Sequence, residues 1–423
     1  MRLRLAIALG RLVRAIARAR GGGSAIPGRI AQLIAPDFLE STIGQIPGGV
    51  VFVTGSNGKS TTTAMLVAVA RAHGLNVFTN PAGSNLPQGL ASAVLAEADR
   101  SGRIHADIAV LEVDEAYGPI ISASLTPDSL VVTNLQLDQL NRFSEPERVW
   151  GMMRTVAERT RQAIIVNDQE RALLSLAHGL GPGVELVTVS VDSSLLKRFA
   201  HGLGSAQLAD ERGQAVATQS PLVTLVDTDP TSARITDRDN ADHQVALPAE
   251  GLHWAVDAVI ALGAAQHLLG DRWSWELALQ AFDHLPPVYG RGEVVDYRGR
   301  DFQLLMQKNL PSMRANLSTL HSQPACLWIA VDEGTPDPSW IFDLELGPIT
   351  RVDVLTGSKA WHWAAFLSYR GVAVGDIIED TKAAMDALAT RDDASDPVTA
   401  IVNYEQMMAL RRIAGRRDLE SLS

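Results

Sequence analysis

Five short apolar runs between residues 50 and 175 most strongly limit the folds open to this chain. They read "GGVVFVTG", "GLNVFTN", "ADIAVLEVD", "DSLVVTNL" and "QAIIVND", and segments with helical periodicity separate them. This alternation is typical of a parallel sheet with helices on both faces. Ligands of such sheets bind at the carboxyl ends of the strands. The runs end there in polar residues, namely Thr54, Asn80, Glu112 with Asp114, Thr133 with Asn134, and Asn167 with Asp168.

The 423 residues, 46% of them hydrophobic, are enough for two or three cores. We predict a basic helical segment at 1–46, packed on a central α/β domain at 47–285. Within that domain, residues 201–247 are polar and predict an insertion or a small sheet at the domain edge. Residues 286–299 predict a hinge. In residues 300–423 apolar strand-like runs again alternate with helical segments, which indicates a smaller second α/β domain.

Charged residues are distributed unevenly along the chain. The net charge of -11 argues against a nucleic-acid partner, yet residues 1–36 hold seven Arg and no Asp or Glu. On a helix one face would carry Arg4, Arg11, Arg14 and Arg18, and the other Leu3, Ile7, Leu12, Ile16 and Ala19. Such a helix either contacts the membrane surface on anionic lipid or packs on its own domain with its arginines in water.

The expected location is the cytoplasm, and peripheral association at the inner face of the plasma membrane is the alternative that the basic helix leaves open. The first apolar stretch, Leu5 to Gly10, is ended by Arg11 and is too short for a secretory signal. No apolar run approaches the ~18 residues of a membrane span. The single cysteine, Cys326, excludes an internal disulfide and a zinc site made of cysteines alone, so we expect no zinc.

The segment "FVTGSNGKSTTTAM", residues 52–65, predicts a phosphate site. Between Thr54 and Thr61 the backbone N–H groups and a helix N-terminus would hold phosphate oxygens. Lys59 would neutralise the β- and γ-phosphates and Ser60 would bind Mg²⁺. The loop departs from the usual GxxxxGK[ST] pattern because Val53 stands where the first glycine is expected. The alternative is an ordinary glycine turn.

Carboxylates follow the third apolar run. Glu112 and Asp114 are two residues apart at a predicted strand end, so their side chains would point the same way. A carboxylate beside a phosphate loop usually serves Mg²⁺, although a solvated strand end is the alternative. After the next run, Asn134 marks the strand tip and Asp138 lies one helical turn on, where it could equally cap a helix.

These segments, taken in order, resemble a known family. "VFVTGSNGKSTTT", "VFTNPAGSNLPQG", "AVLEVDEA", "VVTNLQLDQLNRFSE", "YGRGE", "QKNLPSMRANL" and "PSWIFDLE" are similar to the blocks of the MurT family, the Mur ligase-like subunits of lipid II isoglutaminyl synthase. The likeness extends over nearly the whole chain. The loop alone indicates a Mur-type ATPase, and the C-terminal blocks separate this branch from Mur ligases that add amino acids.

The resemblance implies a Mur ligase-like P-loop ATPase domain and an ATP-dependent carbon–nitrogen ligase that uses Mg²⁺. It would activate the α-carboxylate of D-glutamate in the stem peptide of lipid II as an acyl phosphate, and ammonia would convert it to D-isoglutamine during peptidoglycan biosynthesis. The ammonia would come from a separate GatD-type glutaminase, so the expected assembly is a heterodimer. An acyl phosphate needs shelter from water, which suits this division of labour.

The resemblance also implies roles for individual residues. The phosphates would be held by Thr54, Gly55, Ser56, Asn57, Gly58, Lys59, Ser60 and Thr61. Ser60 and Glu112 would bind Mg²⁺, Asn134 and Asp138 are weaker nucleotide candidates, and Arg291 in "YGRGE" would reach the nucleotide.

Three positions should face the acceptor substrate: Asn80, Lys308 and Asn309. Asp343 in "SWIFDLE" would orient the histidine of the glutaminase's Cys–His pair, as the third member of a triad does. The alternative for Asp343 is a loop-capping aspartate.

Two features depart from the family pattern. Many members carry four cysteines as a zinc ribbon in the central domain, and the polar stretch 201–247 would occupy that place without metal. Related ligases also have an "HNxxN" signature whose asparagine contacts adenine, where this chain has "HWAVD" with His253, Trp254 and Asp257. Two other functions remain open at this stage: a stand-alone Mur-type amino acid ligase, and a non-catalytic scaffold that binds nucleotide.

Overall fold

The described part of the protein is built on two β-sheets, the first from strands within 50–246 and the second from strands within 291–402. Its structure, a computed structural model, describes residues 1–19, 25–81, 84–136, 146–178, 180–199, 202–206, 208, 219–286, 290–334, 339–391 and 397–416. The α/β class predicted from the alternating runs is confirmed.

The first sheet has nine strands in the order β2-β3-β1-β4-β5-β6-β7-β8-β9. In chain order these are β1 (Val50–Thr54), β2 (Val77–Phe78), β3 (Ile108–Glu112), β4 (Ser129–Val132), β5 (Ala163–Asn167), β6 (Glu185–Val191), β7 (Val223–Thr228), β8 (Ser232–Asp237) and β9 (Asp242–Ala246). All pairings from β2 to β7 are parallel, and β7, β8 and β9 form an antiparallel meander. The five apolar runs form β1 to β5.

Helices cover both faces of this sheet. They are α1 (Arg2–Ala19), α2 (Ala25–Ile34), α3 (Lys59–Ala72), α4 (Pro87–Glu97), α5 (Gly118–Ser124), α6 (Pro146–Ala157), α7 (Arg171–Leu174), α8 (Ser193–Leu196), α9 (Leu252–Leu269) and α10 (Trp275–Asp283). Strand β1 is buried on both faces: Phe52 joins the core beneath α4, whereas Val51 and Val53 join the core beneath α3 and α9. A strand buried on both faces is apolar at every position, as "VVFV" is.

The second sheet has six strands in the order β10-β11-β15-β12-β13-β14. They are β10 (Arg291–Tyr297), β11 (Arg300–Met306), β12 (Cys326–Ala330), β13 (Arg351–Thr356), β14 (Ala373–Ile377) and β15 (Val398–Val402). Only the β10–β11 pairing is antiparallel among these strands. The helices are α11 (Leu310–Ser318), α12 (Ala360–Tyr369), α13 (Thr381–Ala389) and α14 (Tyr404–Ile413), and a 3-10 helix spans Ser339–Asp343.

The predicted hinge at 286–299 needs correction. Most of it is strand β10, which forms a hairpin with β11 and belongs to the second sheet. The turn between them places Arg298 and Gly299 at φ of 54° and 81°. Paired positive φ values are those of a tight two-residue hairpin turn, so the second sheet begins at Arg291.

The polar region 201–247 extends the first sheet. Its described strands β7 to β9 continue that sheet at its edge, with Val223, Leu225 and Ile235 buried against α9. The alternation of apolar and polar residues in "PLVTLVD" is that of a strand with one buried face.

The N-terminal helices pack on α4. Gly10 meets Leu95 of α4, the Arg11 side chain donates hydrogen bonds to the Leu95 and Ala98 carbonyl oxygens, and the Gly28 N–H donates to Ser92 Oγ at 3.0 Å. The predicted apolar face was wrong in part, because Leu12 and Ile16 are exposed. The face that packs carries Ala6 and Gly10 together with Ile7, which was predicted, and all three are buried.

Within the described residues, one helical stretch, Leu252–Arg272, is long and apolar enough to pass a test for a membrane span. It contains α9, whose most apolar part is 78% buried inside the protein between the first sheet and α3. Its apolar character is accounted for by this central position.

Candidate active site

A tight loop, residues 55–58, joins β1 to α3. Gly55 and Gly58 have φ of 136° and 80°, a region that side chains disfavour. A Cβ at Gly55 would lie 2.1 Å from Thr133 Oγ1, and one at Gly58 2.2 Å from Asp257 Oδ1. At Gly55 and at Gly58, the positive φ and the close neighbouring atoms therefore each require glycine.

The end of β4 holds this loop in place. Asn134 forms a pair of hydrogen bonds with Asn57: Oδ1 accepts from the Asn57 N–H at 2.9 Å and Nδ2 donates to its carbonyl oxygen at 3.0 Å. Thr133 Oγ1 donates to the same carbonyl at 2.6 Å. Gln136 accepts from Asn57 Nδ2 at 2.6 Å through Oε1, and its N–H donates to Ser56 Oγ at 3.0 Å. Gln136 was not singled out in the sequence, and Asn134 supports the loop itself.

The N-terminus of α3 fits a phosphate group. Its N-cap is Gly58, with no side-chain hydrogen bond to the first turn, and the first N–H groups of a helix have no acceptor within the helix. Thr54 Oγ1 is buried at the start of the loop without a partner in the described protein. Unsatisfied donors and a helix N-terminus together make an anion site.

Lys59 lies at the centre of this site. Its Nζ donates to the Gly55 carbonyl oxygen at 2.5 Å and to Glu115 Oε2 at 2.8 Å. The two charged side chains are 8% and 2% exposed, so water screens their attraction little.

Glu112 ends β3 beside the loop and is buried. Its Oε1 accepts a hydrogen bond from Asn85 Nδ2 at 3.0 Å. Asn80 donates to the Glu112 carbonyl oxygen at 3.0 Å and accepts from the Glu112 N–H at 2.9 Å. The buried Asn80 amide thus holds the strand end, which differs from the substrate contact predicted for it.

The pairing of Glu112 with Asp114 differs from the prediction. Strand β3 ends at Glu112, and Asp114 lies in the following turn, where its Oδ1 accepts from the Ala116 N–H at 3.0 Å. The carboxylate that reaches the loop is Glu115. The sequence pattern did not point to Glu115, because side chains on one face of a strand are two residues apart and Glu115 is three residues after Glu112. The turn after β3 brings the Glu115 side chain inward.

Two segments of the second half of the chain reach this loop. Arg291, the first residue of β10, donates from Nη1 to Thr61 Oγ1 at 2.6 Å. Lys308 Nζ donates to the Ser56 carbonyl oxygen at 2.6 Å, and Asn309 Nδ2 lies 3.4 Å from Asn57 Oδ1. Asn309 is also the N-cap of α11, where it forms a capping box with Ser312.

A cavity of about 370 Å³ lies between the two sheets next to the loop. Residues that line it include Asn57, Thr61, His253, Asp257, Arg291 and Lys308. Burial raises the pKa of Asp257 to about 8, although Arg291 opposes this, and burial beside Arg291 lowers the pKa of His253 to about 4. Near pH 7 both side chains are therefore mainly neutral. A neutral carboxyl group offers one O–H donor and a carbonyl acceptor.

A second buried carboxyl group lines the same cavity. Glu170 Oε2 accepts from the Leu135 N–H at 3.0 Å. Burial raises its pKa to about 8 against that hydrogen bond and one from Ser205. Glu170 carries no sequence signal other than its position just beyond the end of β5.

Asp343 lies away from the loop, at the end of the 3-10 helix. Its side chain is exposed, next to the exposed ring of Phe342, and its carbonyl oxygen accepts from Arg314 Nη2 at 3.1 Å. Asp138, the remaining candidate, falls within 137–145 and lies outside the described residues.

The donors present suit ATP with Mg²⁺. Ser60 in the first turn of α3 and Glu112 at the end of β3 offer the hydroxyl and carboxylate oxygens that Mg²⁺ prefers. In the described ranges, no group of three or more His, Cys, Asp and Glu side chains is placed to hold a metal ion. Such a small donor set leaves positions for phosphate oxygens and water.

The fold and the loop together define a P-loop nucleotide-binding α/β protein. The model of the Mur ligase middle domain matches residues 53–265, half of the chain. The chain belongs to the Mur ligase family.

Among characterised relatives, the chain is similar to the lipid II isoglutaminyl synthase (glutamine-hydrolyzing) subunit MurT of Streptococcus pneumoniae. The two are 26% identical over 366 residues, which cover 79% of this chain and 78% of the relative. The subunit of the same name from Staphylococcus aureus (strain COL) is 34% identical over 146 residues, 34% of this chain and 32% of the relative.

Solved Mur ligases share the fold. MurF from Acinetobacter baumannii superposes with a TM-score of 0.65 at 16% identity, over 92% of this chain and 80% of that one. MurF from Thermotoga maritima, determined in complex with ADP, gives a TM-score of 0.61 at 17% identity, over 92% and 84%.

Proposed function

We propose that this chain is the synthetase subunit of a lipid II amidating complex. It would use ATP to activate the α-carboxylate of D-glutamate in the stem peptide and join it to ammonia from a glutaminase subunit. The proposal rests mainly on one observation: a Mur-type phosphate site, centred on Lys59, lies in a chain that aligns with a MurT subunit over 79% of its length.

The chemistry has two steps. A carboxylate oxygen attacks the γ-phosphorus of ATP, the bond to the β-phosphate oxygen breaks, and ADP leaves. The ammonia nitrogen then attacks the carbonyl carbon of the acyl phosphate, phosphate leaves with the C–O bonding electrons, and a proton passes to solvent. Both steps need the acceptor held next to the phosphates and shielded from water.

The residues of this chain would divide the work. Lys59 and the N–H groups at the start of α3 would hold the β- and γ-phosphates, and Lys308, which contacts the same loop, would approach them from the second sheet. Ser60 and Glu112 would hold Mg²⁺, which neutralises charge on the transferring phosphoryl group. Arg291 and Asp257 would lie at the nucleotide side of the cavity.

The partner would complete its own site with Asp343. An exposed carboxylate at the end of a short helix is accessible to another protein, and in a Cys–His–Asp arrangement it would fix the histidine tautomer that activates the cysteine. The heterodimer and the lipid-linked acceptor are part of this proposal.

The nucleophile distinguishes this proposal from its rivals. Purified chain would be given ATP, Mg²⁺ and a muropeptide acceptor, with either ammonium or a panel of amino acids, and ADP release would be followed. We expect ADP release with ammonium and a product that carries an amide. Turnover with an amino acid would instead indicate a stand-alone ligase, and nucleotide binding without turnover under any condition would indicate a scaffold.

A further inference from the structure

Helix α1 exposes an apolar stripe. Of the thirteen large apolar side chains that are exposed in the described part of the chain, seven lie within the first 33 residues. Four of them, Leu5, Leu9, Leu12 and Ile16, follow the i, i+4, i+7, i+11 spacing of one helix face, and their exposed fractions are 52%, 39%, 57% and 45%. We call these four residues the α1 stripe.

The opposite face of α1 is already in use. Ala6, Ile7 and Gly10 are buried against the neighbouring helices, and Arg11 binds the last carbonyl oxygens of α4. The helix is therefore fixed in orientation by packing and by a cation at a helix C-terminus. This packing turns the α1 stripe outward.

The charge around the stripe is one-sided. Residues 1–36 contain seven Arg and no acidic residue, whereas the rest of the chain has 30 Lys and Arg against 48 Asp and Glu. Arg2 and Arg4 are exposed on α1, and Arg29 is exposed on α2 between the exposed Ile26 and Leu33. An anionic surface would attract this end of the molecule and repel the rest.

We propose that α1 lies on an anionic lipid surface, with the α1 stripe among the acyl chains and the arginines at the headgroups. A helix with an apolar face and cationic flanks binds in the plane of the interface. The stripe is aliphatic, whereas the anchors of protein interfaces are mainly aromatic residues and Arg, which favours lipid over a protein partner. This extends the proposed function by placing the active site at the surface where a lipid-linked acceptor resides.

Vesicle flotation tests the proposal with the full-length chain. The probes are phosphatidylcholine vesicles with and without phosphatidylglycerol. The native protein should float with the anionic vesicles and remain in solution with the neutral ones. Replacement of the stripe by glutamine (L5Q, L9Q, L12Q and I16Q together) should lower binding at least about tenfold. Arg2→Gln with Arg4→Gln should lower it by about fivefold per charge, because each Arg near such a surface contributes on the order of a fivefold factor.

The matched control replaces two exposed apolar residues elsewhere, Ile120→Gln and Val294→Gln, and should bind as the native protein does. Failure of the native protein to bind anionic vesicles, or unchanged binding by the stripe variant, would overturn the proposal. A native dimer that the stripe substitutions dissociate, without vesicle binding, would assign the stripe to a second copy. Amidation of a soluble muropeptide, measured in parallel, should be unaffected by the stripe substitutions, so an error in the proposed reaction would appear there and not in flotation.

Discussion

The phosphate loop and the turn that carries Asp343 contrast in how each is held. Around Lys59 the loop is tied to the end of β4 through Asn134, to Glu115, and to the second sheet through Lys308. Asp343 stands at the end of a five-residue 3-10 helix with its side chain in solvent.

The two regions are held differently because the phosphate loop would serve this chain's own reaction, whereas Asp343 would serve the site of a partner protein. A group that must stabilise charge on a phosphate is effective when the protein fixes it beforehand, because no reorganisation is then needed during the reaction. A group that completes another protein's site must remain accessible until that protein binds. The contrast predicts that damage to the loop removes all activity, whereas damage at Asp343 removes only what depends on the partner.

The largest expected effect is at Lys59. Lys59→Ala should lower ATP-dependent amidation at least about a thousandfold with either nitrogen source, because the charge on the transferring phosphoryl group loses its fixed cation. ADP release in the presence of acceptor and ammonium measures this. Lys382→Ala, at an exposed lysine that binds Asp386, is the matched control. Activity within tenfold of native in the Lys59 variant would contradict the phosphate assignment.

Asp343→Asn should separate the two nitrogen sources. We expect glutamine-dependent amidation by the assembled complex to fall at least about a hundredfold, since an asparagine stabilises the wrong histidine tautomer. Amidation driven by high ammonium should stay within about twofold. Glu345→Gln, two residues away and exposed, serves as the control. Equal losses with both sources, or no loss with either, would refute the role in the partner's site.

Glu115→Gln tests how the loop is held without nucleotide. Loss of a buried charge-assisted hydrogen bond should lower the free energy of unfolding by about 1.5–3 kcal/mol. If phosphate replaces Glu115 as the partner of Lys59, ATP should bind about tenfold more tightly to the variant, because the bond is lost from the free protein alone. Thermal unfolding and calorimetric titration give the two values. Weaker ATP binding with unchanged stability would instead place Glu115 on the nucleotide or its metal.

The last effect concerns the pH dependence of stability that Asp257 contributes. Its pKa of about 8 lies above the ordinary value of 3.8, so between those limits the folded protein binds more protons than the unfolded chain. Its contribution to stability is present at low pH and is lost as pH rises toward 8, with a slope of up to about 1.4 kcal/mol per pH unit. Asp257→Asn should flatten this part of the profile in thermal unfolding. Parallel profiles for the two proteins would show that Asp257 is not neutral in the folded state.

Local sequence patterns predicted much of the fold. Buried strands β1 to β5 are continuous apolar runs, and the alternation predicted over 300–423 includes the buried strands β11, β12, β13 and β15. Strands β10 and β14 were missed because they lie at sheet edges, where "RGEVVDY" and "AVGDI" contain charged residues and glycine. An edge strand buries little, so its composition resembles that of a loop.

The site was predictable where neighbours in sequence carry it. Lys59 and Ser60 follow from one motif, whereas Glu115, Gln136 and Glu170 depend on how separate strand ends meet in space. No periodicity shows that Glu115 meets Lys59, because the turn after β3 decides it. The apolar face of α1 was predicted only in part for a related reason. An amphipathic pattern does not show which apolar residues pack on the protein and which, like those of the α1 stripe, stay exposed.

We propose that this chain joins nitrogen from a partner's glutamine to a carboxylate of lipid II at its own ATP site. The direct measurement is mass spectrometry of lipid II after incubation with the complex, ATP, Mg²⁺ and glutamine labelled with nitrogen-15 in its amide. We predict a product in which the α-carboxylate of the D-glutamate residue has become a labelled amide, formed only when ATP is present. Unchanged lipid II, or a product that has gained an amino acid, would contradict the claim.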